Sequence, residues 1–113
     1  MGLSKVELLI HDWYELSQND DPIDLKEAQR IAKDTYEVLS EHTAQDLIPK
    51  PVANLLVVME WFVSGQSYLL GSENDKYYKD MVSIISKLTK AFFENKFENS
   101  DVCDLIEGLI NNN

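Results

Sequence analysis

Cysteine occurs once in the 113 residues, histidine twice, proline three times and glycine four times. The lone thiol, Cys103, cannot close an internal disulfide, and this usage suits a reducing compartment. So few glycines leave no Gly-rich loop to cradle a phosphate. One Cys and two distant His do not supply the clustered ligands of a zinc site. Cations are also scarce, with 10 Lys and Arg against 20 Asp and Glu and a formal net charge of −10. Duplex binding gains most of its affinity from cations that release counterions, so a nucleic-acid partner is not expected.

Two targeting devices are not expected either. The opening MGLSKVELLIHDWYEL has no basic start followed by a long apolar run, so no secretory signal is expected and the location is expected to be cytoplasmic. Gly2 follows Met1, but Val6 stands where the myristoylation pattern wants Ser or Thr. The longest apolar stretch, Val52 to Leu70, is interrupted by Asn54, Glu60, Ser64, Gly65, Gln66 and Ser67. A spanning helix needs about 20 mostly apolar residues, and a charge near its middle costs roughly 2.5–3.5 kcal/mol. The stretch is therefore expected as the buried central helix of a soluble bundle, with no membrane insertion.

The chain does hold 44% hydrophobic residues, and they are periodic. One domain spanning 1–113 fits, large enough to bury roughly two-thirds of its unfolded surface. Helix one is expected over Lys5 to Ser17, capped by the Ser4/Glu7 spacing, with Val6, Leu9, Ile10, Trp13 and Leu16 inward and Glu7, His11, Asp12 and Glu15 outward. Helix two is expected over Leu25 to Glu41 behind the Asp24/Glu27 cap. Its inward face is Leu25, Ala28, Ile31, Ala32, Thr35, Tyr36 and Leu39. Pro51 suits the first turn of helix three, which should reach at least Val63 and end at Gly65 or Gly71. Helix four should run from Glu73 to Glu94 with Ser72 as cap, placing Tyr77, Met81, Ile84, Ile85, Leu88 and Phe92 inward. Ser100 should cap a short last helix from Asp101 to Ile110, with Val102, Leu105, Ile106, Leu109 and Ile110 inward. The expected fold is all-α, an antiparallel four-helix bundle with a short fifth C-terminal helix.

Chemistry-bearing patterns are thin. His11 falls on a polar face and His42 at a helix end, where the dipole favours it. A Cys103–His42 nucleophile pair lacks an oxyanion-hole motif. Glu7 and His11 have i, i+4 spacing without the rest of a ligand set, and no pair of Glu-x-x-His motifs marks a di-iron bundle. The loop from Asn19 to Asp24 lacks the glycine and distal glutamate of a calcium loop. Glu60 interrupts an apolar run and is the one carboxylate that burial could raise toward general-acid work, or use as a partner contact. No cofactor or metal is expected, and the chain is read as non-enzymatic.

Charge is unevenly placed. Residues 1–47 carry a net −7, residues 48–97 a net +1 and residues 98–113 a net −4. Glu27, Asp34, Glu37 and Glu41 form one acidic stripe on helix two, with Arg30 in the same stripe. Asp101, Asp104 and Glu107 form another on the last helix, and Asp20, Asp21 and Asp24 could extend such a face. Lys76, Lys79, Lys87 and Lys90 form a basic strip on helix four. Such stripes are ordinary solvated faces or docking faces for a basic protein, whose association complementary fields accelerate. Phe93, Phe97 and Tyr78 fall off the inward faces, where aromatics anchor partners.

The layout resembles the small cytosolic bacteriocin immunity proteins of the enterocin A type, on two stretches. One is Asp46-Leu47-Ile48-Pro49-Lys50-Pro51-Val52-Ala53-Asn54-Leu55, a proline-bearing start to helix three. The other is the polar turn Gly71-Ser72-Glu73-Asn74-Asp75 leading into helix four with Met81 to Leu88. The resemblance implies a single antiparallel helical bundle that protects a producer cell through cytoplasmic contact with a toxin–receptor complex. The strong negative charge departs from that family and fits immunity proteins against basic nuclease toxins. It carries over no binding residue. The expected function is an acidic protein-binding inhibitor. The alternative is a structural or regulatory homo-oligomer, a homodimer for instance, with its seam on helix three or the aromatic edge. A WXG-type secreted hairpin is set aside, because Trp61-Phe62-Val63-Ser64-Gly65 has no Trp-x-Gly turn.

Overall fold

The computed structural model describes residues 2–18, 24–43, 47–65, 75–94 and 102–111. They form five helices: α1 (Gly2–Gln18), α2 (Leu25–His42), α3 (Lys50–Gly65), α4 (Asp75–Glu94) and α5 (Val102–Asn111). No strand occurs among the described residues. Cross-helix pairs set the directions. Lys5 meets Glu37 while Asp12 meets Arg30, so α1 and α2 run antiparallel. Gln29 meets Ile106 while Tyr36 meets Cys103, so α2 and α5 do too. Trp13 meets Phe62, and Thr43 meets Phe92, each pair near two helix C-termini, so α1/α3 and α2/α4 are parallel neighbours.

Packing follows a ring. α1 lies against α2 and α3, α2 against α5, α5 against α4 and α4 against α3, with α4 also reaching α2. The inward faces are those the periodicity predicts. Val6, Leu9, Trp13, Ile31, Leu39, Met81, Ile84, Ile85, Leu88 and Leu109 are all buried. Each such side chain contributes about 1.5–3 kcal/mol by leaving water. Trp13 and Phe62 pack edge to face, with ring centroids 5.6 Å apart.

Helix ends are met partly from across the bundle. The last four carbonyls of a helix have no partner within it. Tyr78 donates its hydroxyl to the carbonyl of Val63 at 2.5 Å, and Thr43 donates to that of Phe92 at 2.6 Å, serving the last turns of α3 and α4. Asp24 caps α2 as expected, accepting from Lys26 N at 3.0 Å and Glu27 N at 3.3 Å. Pro51 sits in the first turn of α3, where Pro49 O receives the N–H groups of Val52 and Ala53.

Several expectations are corrected. α1 begins at Gly2, so Ser4 lies inside the helix and is not its cap. Tyr78 is not a free aromatic edge. It is 7% exposed, with its ring 5.8 Å from that of Phe62. α3 is not an all-round buried central helix. It stands at the rim of the ring, and Val57 and Trp61 project outward at 46% and 56% exposure. The Ser72 and Ser100 caps, the Tyr77 side chain and the choice of Gly71 lie outside what is described. No helix among the described residues is long and apolar enough to cross a membrane.

Candidate functional site: an acid-rimmed groove between α2 and α5

The acidic stripe of α2 lies along its seam with α1, and cations hold it there. The Arg30 guanidinium reaches Glu27 at 2.6 Å, Asp34 at 3.0 Å and Asp12 at 3.0 Å. Lys5 reaches Glu37 at 2.6 Å and lies 4.0 Å from Asp34. The hydrogen bond from Arg30 holds the Glu27 carboxyl below its ordinary value, and the bond to Glu37 raises Lys5 above its own. Arg30 is raised in turn, by Glu27 first and then Asp12. Four carboxylates therefore share two cations, and Glu27 and Asp34 serve the α1–α2 contact. Asp12, expected on the solvated face of helix one, is a member of this seam.

The next seam round the bundle is more open. Between α2 and α5 lies a groove of about 220 Å³ lined by Lys33, Tyr36, Glu37, Cys103, Ile106 and Glu107. Ile106 is buried and forms the floor, and the half-buried Tyr36 flanks it. Tyr36 is hydrogen-bonded to the exposed Cys103. Burial, and after it Cys103, pushes the Tyr36 phenol above its ordinary value. Glu37 and Glu107 supply acid from opposite helices, and Lys33 bridges to Glu107 at 3.0 Å. Asp104, one turn before Glu107, is exposed and in no ion pair among the described residues. Small-molecule sites usually enclose about 300–1,000 Å³, so this groove is sized for one large side chain rather than a substrate.

One residue of each predicted acidic stripe, Glu37 of α2 and Glu107 of α5, therefore lines the same groove, and Asp104 lies outside its lining. Glu27, Asp34 and Glu41 lie along the α1 seam, and Glu41 is exposed. Asp101, Asp20, Asp21 and Phe97 lie outside the described residues, and Asp24 is spent as a cap. The sequence reading missed Gln29 and Lys33. Gln29 donates to the carbonyl of Ile106 at 3.1 Å. Their i, i+4, i+7 spacing with Tyr36, beside the inward face, is the signal that marks a second seam.

The remaining candidates stay apart. His11 is exposed, 3.6 Å from Glu15, and His42 is half-buried at the end of α2. Glu60, which interrupts the apolar run of α3, is exposed. No group of three or more His, Cys, Asp or Glu among the described residues is arranged to hold a metal ion. On α4, Lys79 and Lys90 are exposed, Lys87 is half-buried, and Lys90 lies 3.9 Å from Glu94. Phe93 is 66% exposed, as expected. In comparisons with known proteins, no family model matches the chain, and neither a curated protein nor a solved structure matches it.

Proposed function

We propose that the chain is a non-enzymatic protein-binding inhibitor that docks a basic, amphipathic segment of its partner in the α2–α5 groove. The observation that carries this reading is the convergence of Glu37 and Glu107 over an apolar floor of Ile106 and Tyr36. An apolar anchor in a desolvated pocket, ringed by complementary charge, is how a small interface concentrates its affinity. The partner's anchor side chain fills the groove while its Lys or Arg residues lie over Glu37 and Glu107. With a net charge of −10, the whole chain steers a cationic partner toward the site.

Together with the resemblance of its sequence layout to enterocin A-type immunity proteins, this supports a specific biological role. The protein acts in the cytoplasm as an immunity protein, neutralising a basic toxin or capturing a toxin–receptor complex. The test has two arms. Toxin-sensitive bacteria expressing the chain are challenged with purified cationic bacteriocins and nuclease toxins, and binding to each toxin is measured calorimetrically at low and moderate salt. Protection by the wild type, lost in the Glu37→Lys/Glu107→Lys double variant with the fold intact, is the expected result. Protection unaffected by that double charge reversal would remove the groove from the function.

A further inference from the structure

α3 carries a second surface, built from residues the groove does not use. Its inward line is Val52, Leu55, Met59 and Phe62, all buried. At about 100° per residue, the opposite line runs through Lys50, Ala53, Asn54, Val57, Trp61 and Ser64. All six are exposed. Single exposed apolar residues are ordinary. Here Val57 and Trp61 stand one turn apart on the outermost line, 46% and 56% exposed. The helix that bears them has one cation, Lys50, and one acid, Glu60. Neither is in an ion pair among the described residues.

Charge selects the occupant. Two copies at −10 each repel, so they can meet only where the surface is neutral. α3 is neutral, with its single charges of opposite sign toward opposite ends. Laid antiparallel on itself and crossing at Val57, the helix sets Trp61 of one copy over Ala53 of the other, a large residue against a small one. Lys50 then falls opposite Ser64 of the second copy, and Glu60 opposite its Asn54. That leaves Lys50 and Glu60 four residues apart along the axis, about 6 Å at 1.5 Å per residue, within reach of a lysine side chain. The same pair forms twice by symmetry, as an isologous contact requires.

We propose that the protein forms an antiparallel homodimer through the outward face of α3, with Val57 at the two-fold axis, Trp61 over Ala53 and Lys50 paired with Glu60 across the interface. α2 and α5 take no part, so both grooves stay open and the dimer presents two docking sites. The contact is essentially one helix pair, at the small end of specific interfaces. A dissociation constant of about 1–100 µM is expected.

Sedimentation velocity of the full chain across that concentration range is the test. The wild type should pass from monomer to dimer, and Val57→Glu should raise the dissociation constant at least about 100-fold. Lys50→Glu and Glu60→Lys should each weaken the dimer about tenfold, and the double swap Lys50→Glu/Glu60→Lys should restore it. All these positions are exposed, so circular dichroism should remain helical. If Val57→Glu does fail to fold, the swap still decides. A wild type that stays monomeric throughout overturns the proposal, as does a double swap no tighter than the singles. A monomer that instead co-sediments with phosphatidylcholine vesicles, and loses this with Trp61→Ser, assigns the stripe to lipid and overturns the dimer.

Discussion

The indole N–H of Trp13 donates to the hydroxyl of Thr35 across 2.9 Å, and that hydroxyl donates onward to the carbonyl of Ile31 at 2.7 Å. Both side chains have no exposed surface. The pair ties α1 to α2 with a polar contact inside an apolar core, and it places the indole for its edge-to-face contact with Phe62 on α3. Thr35→Val keeps the shape and removes the acceptor. A buried donor left unpaired costs about 1–3 kcal/mol, so urea unfolding of Thr35→Val should show a loss of that size. In a double-mutant cycle, Trp13→Phe should cost less in the Thr35→Val background than alone, because there it removes an N–H that has already lost its acceptor. Additive losses would mean the bond contributes nothing beyond packing.

The α1–α2 ion pairs predict a shallow pH dependence with a definite sign. Glu27 is held below its ordinary value of 4.5 by Arg30. Its contribution is present above that value and lost as pH falls through the depressed one. Lys5 is raised above 10.5. Its contribution is present below that value and lost as pH rises through the raised one. Exposed pairs contribute about 0.2–1 kcal/mol each before screening. Arg30→Gln should therefore cost about 1 kcal/mol or less at neutral pH, flatten the acid limb of the melting-temperature profile and leave the alkaline limb in place. Molar salt should shrink the difference between wild type and variant.

Helix identity was legible because the apolar spacing of α1, α2, α4 and α5 is clean. Val6, Leu9 and Trp13, or Met81, Ile84, Ile85 and Leu88, have one reading only. α3 was harder. Its run from Leu55 to Val63 is apolar on nearly every side, so periodicity does not say which side faces in. The outward placement of Val57 and Trp61 follows from which neighbours α3 has, and that is tertiary information. Charge stripes were legible as stripes and not as seams. Glu27 and Asp34 read the same whether they face water or Lys5 and Arg30, because the cations that hold them lie partly on another helix. Of the predicted site residues, Glu37 and Glu107 line one groove because α5 returns antiparallel to α2. Nothing in either helix alone announces that pairing.

Tyr78 and Thr43 predict where the bundle should fray. Each donates to a carbonyl in the last turn of another helix, Val63 in α3 and Phe92 in α4. Removing either hydroxyl should cost about 1 kcal/mol overall. The loss should be local as well. Hydrogen exchange should speed up in the last turn of α3 for Tyr78→Phe and of α4 for Thr43→Val, with little change at the core amides of α1. Uniform acceleration in both variants would show that these bonds support global stability rather than the helix ends.

Cys103 gives the groove a chemical handle that needs no charge reversal. Its thiol is exposed at the mouth, beside Tyr36 and one turn from Ile106 and Glu107 on α5. N-ethylmaleimide should label it in the native protein, and the melting temperature should stay nearly unchanged because no core atom moves. The attached ring then occupies the space proposed for the partner's anchor side chain. Labelled protein should lose affinity for a cationic toxin that the unlabelled protein binds. The converse is the sharper measurement, since a bound toxin should slow labelling of Cys103 in proportion to site occupancy, and added salt should restore the free rate as the complex dissociates. Labelling at the free rate in a saturated complex would place the partner elsewhere on the surface.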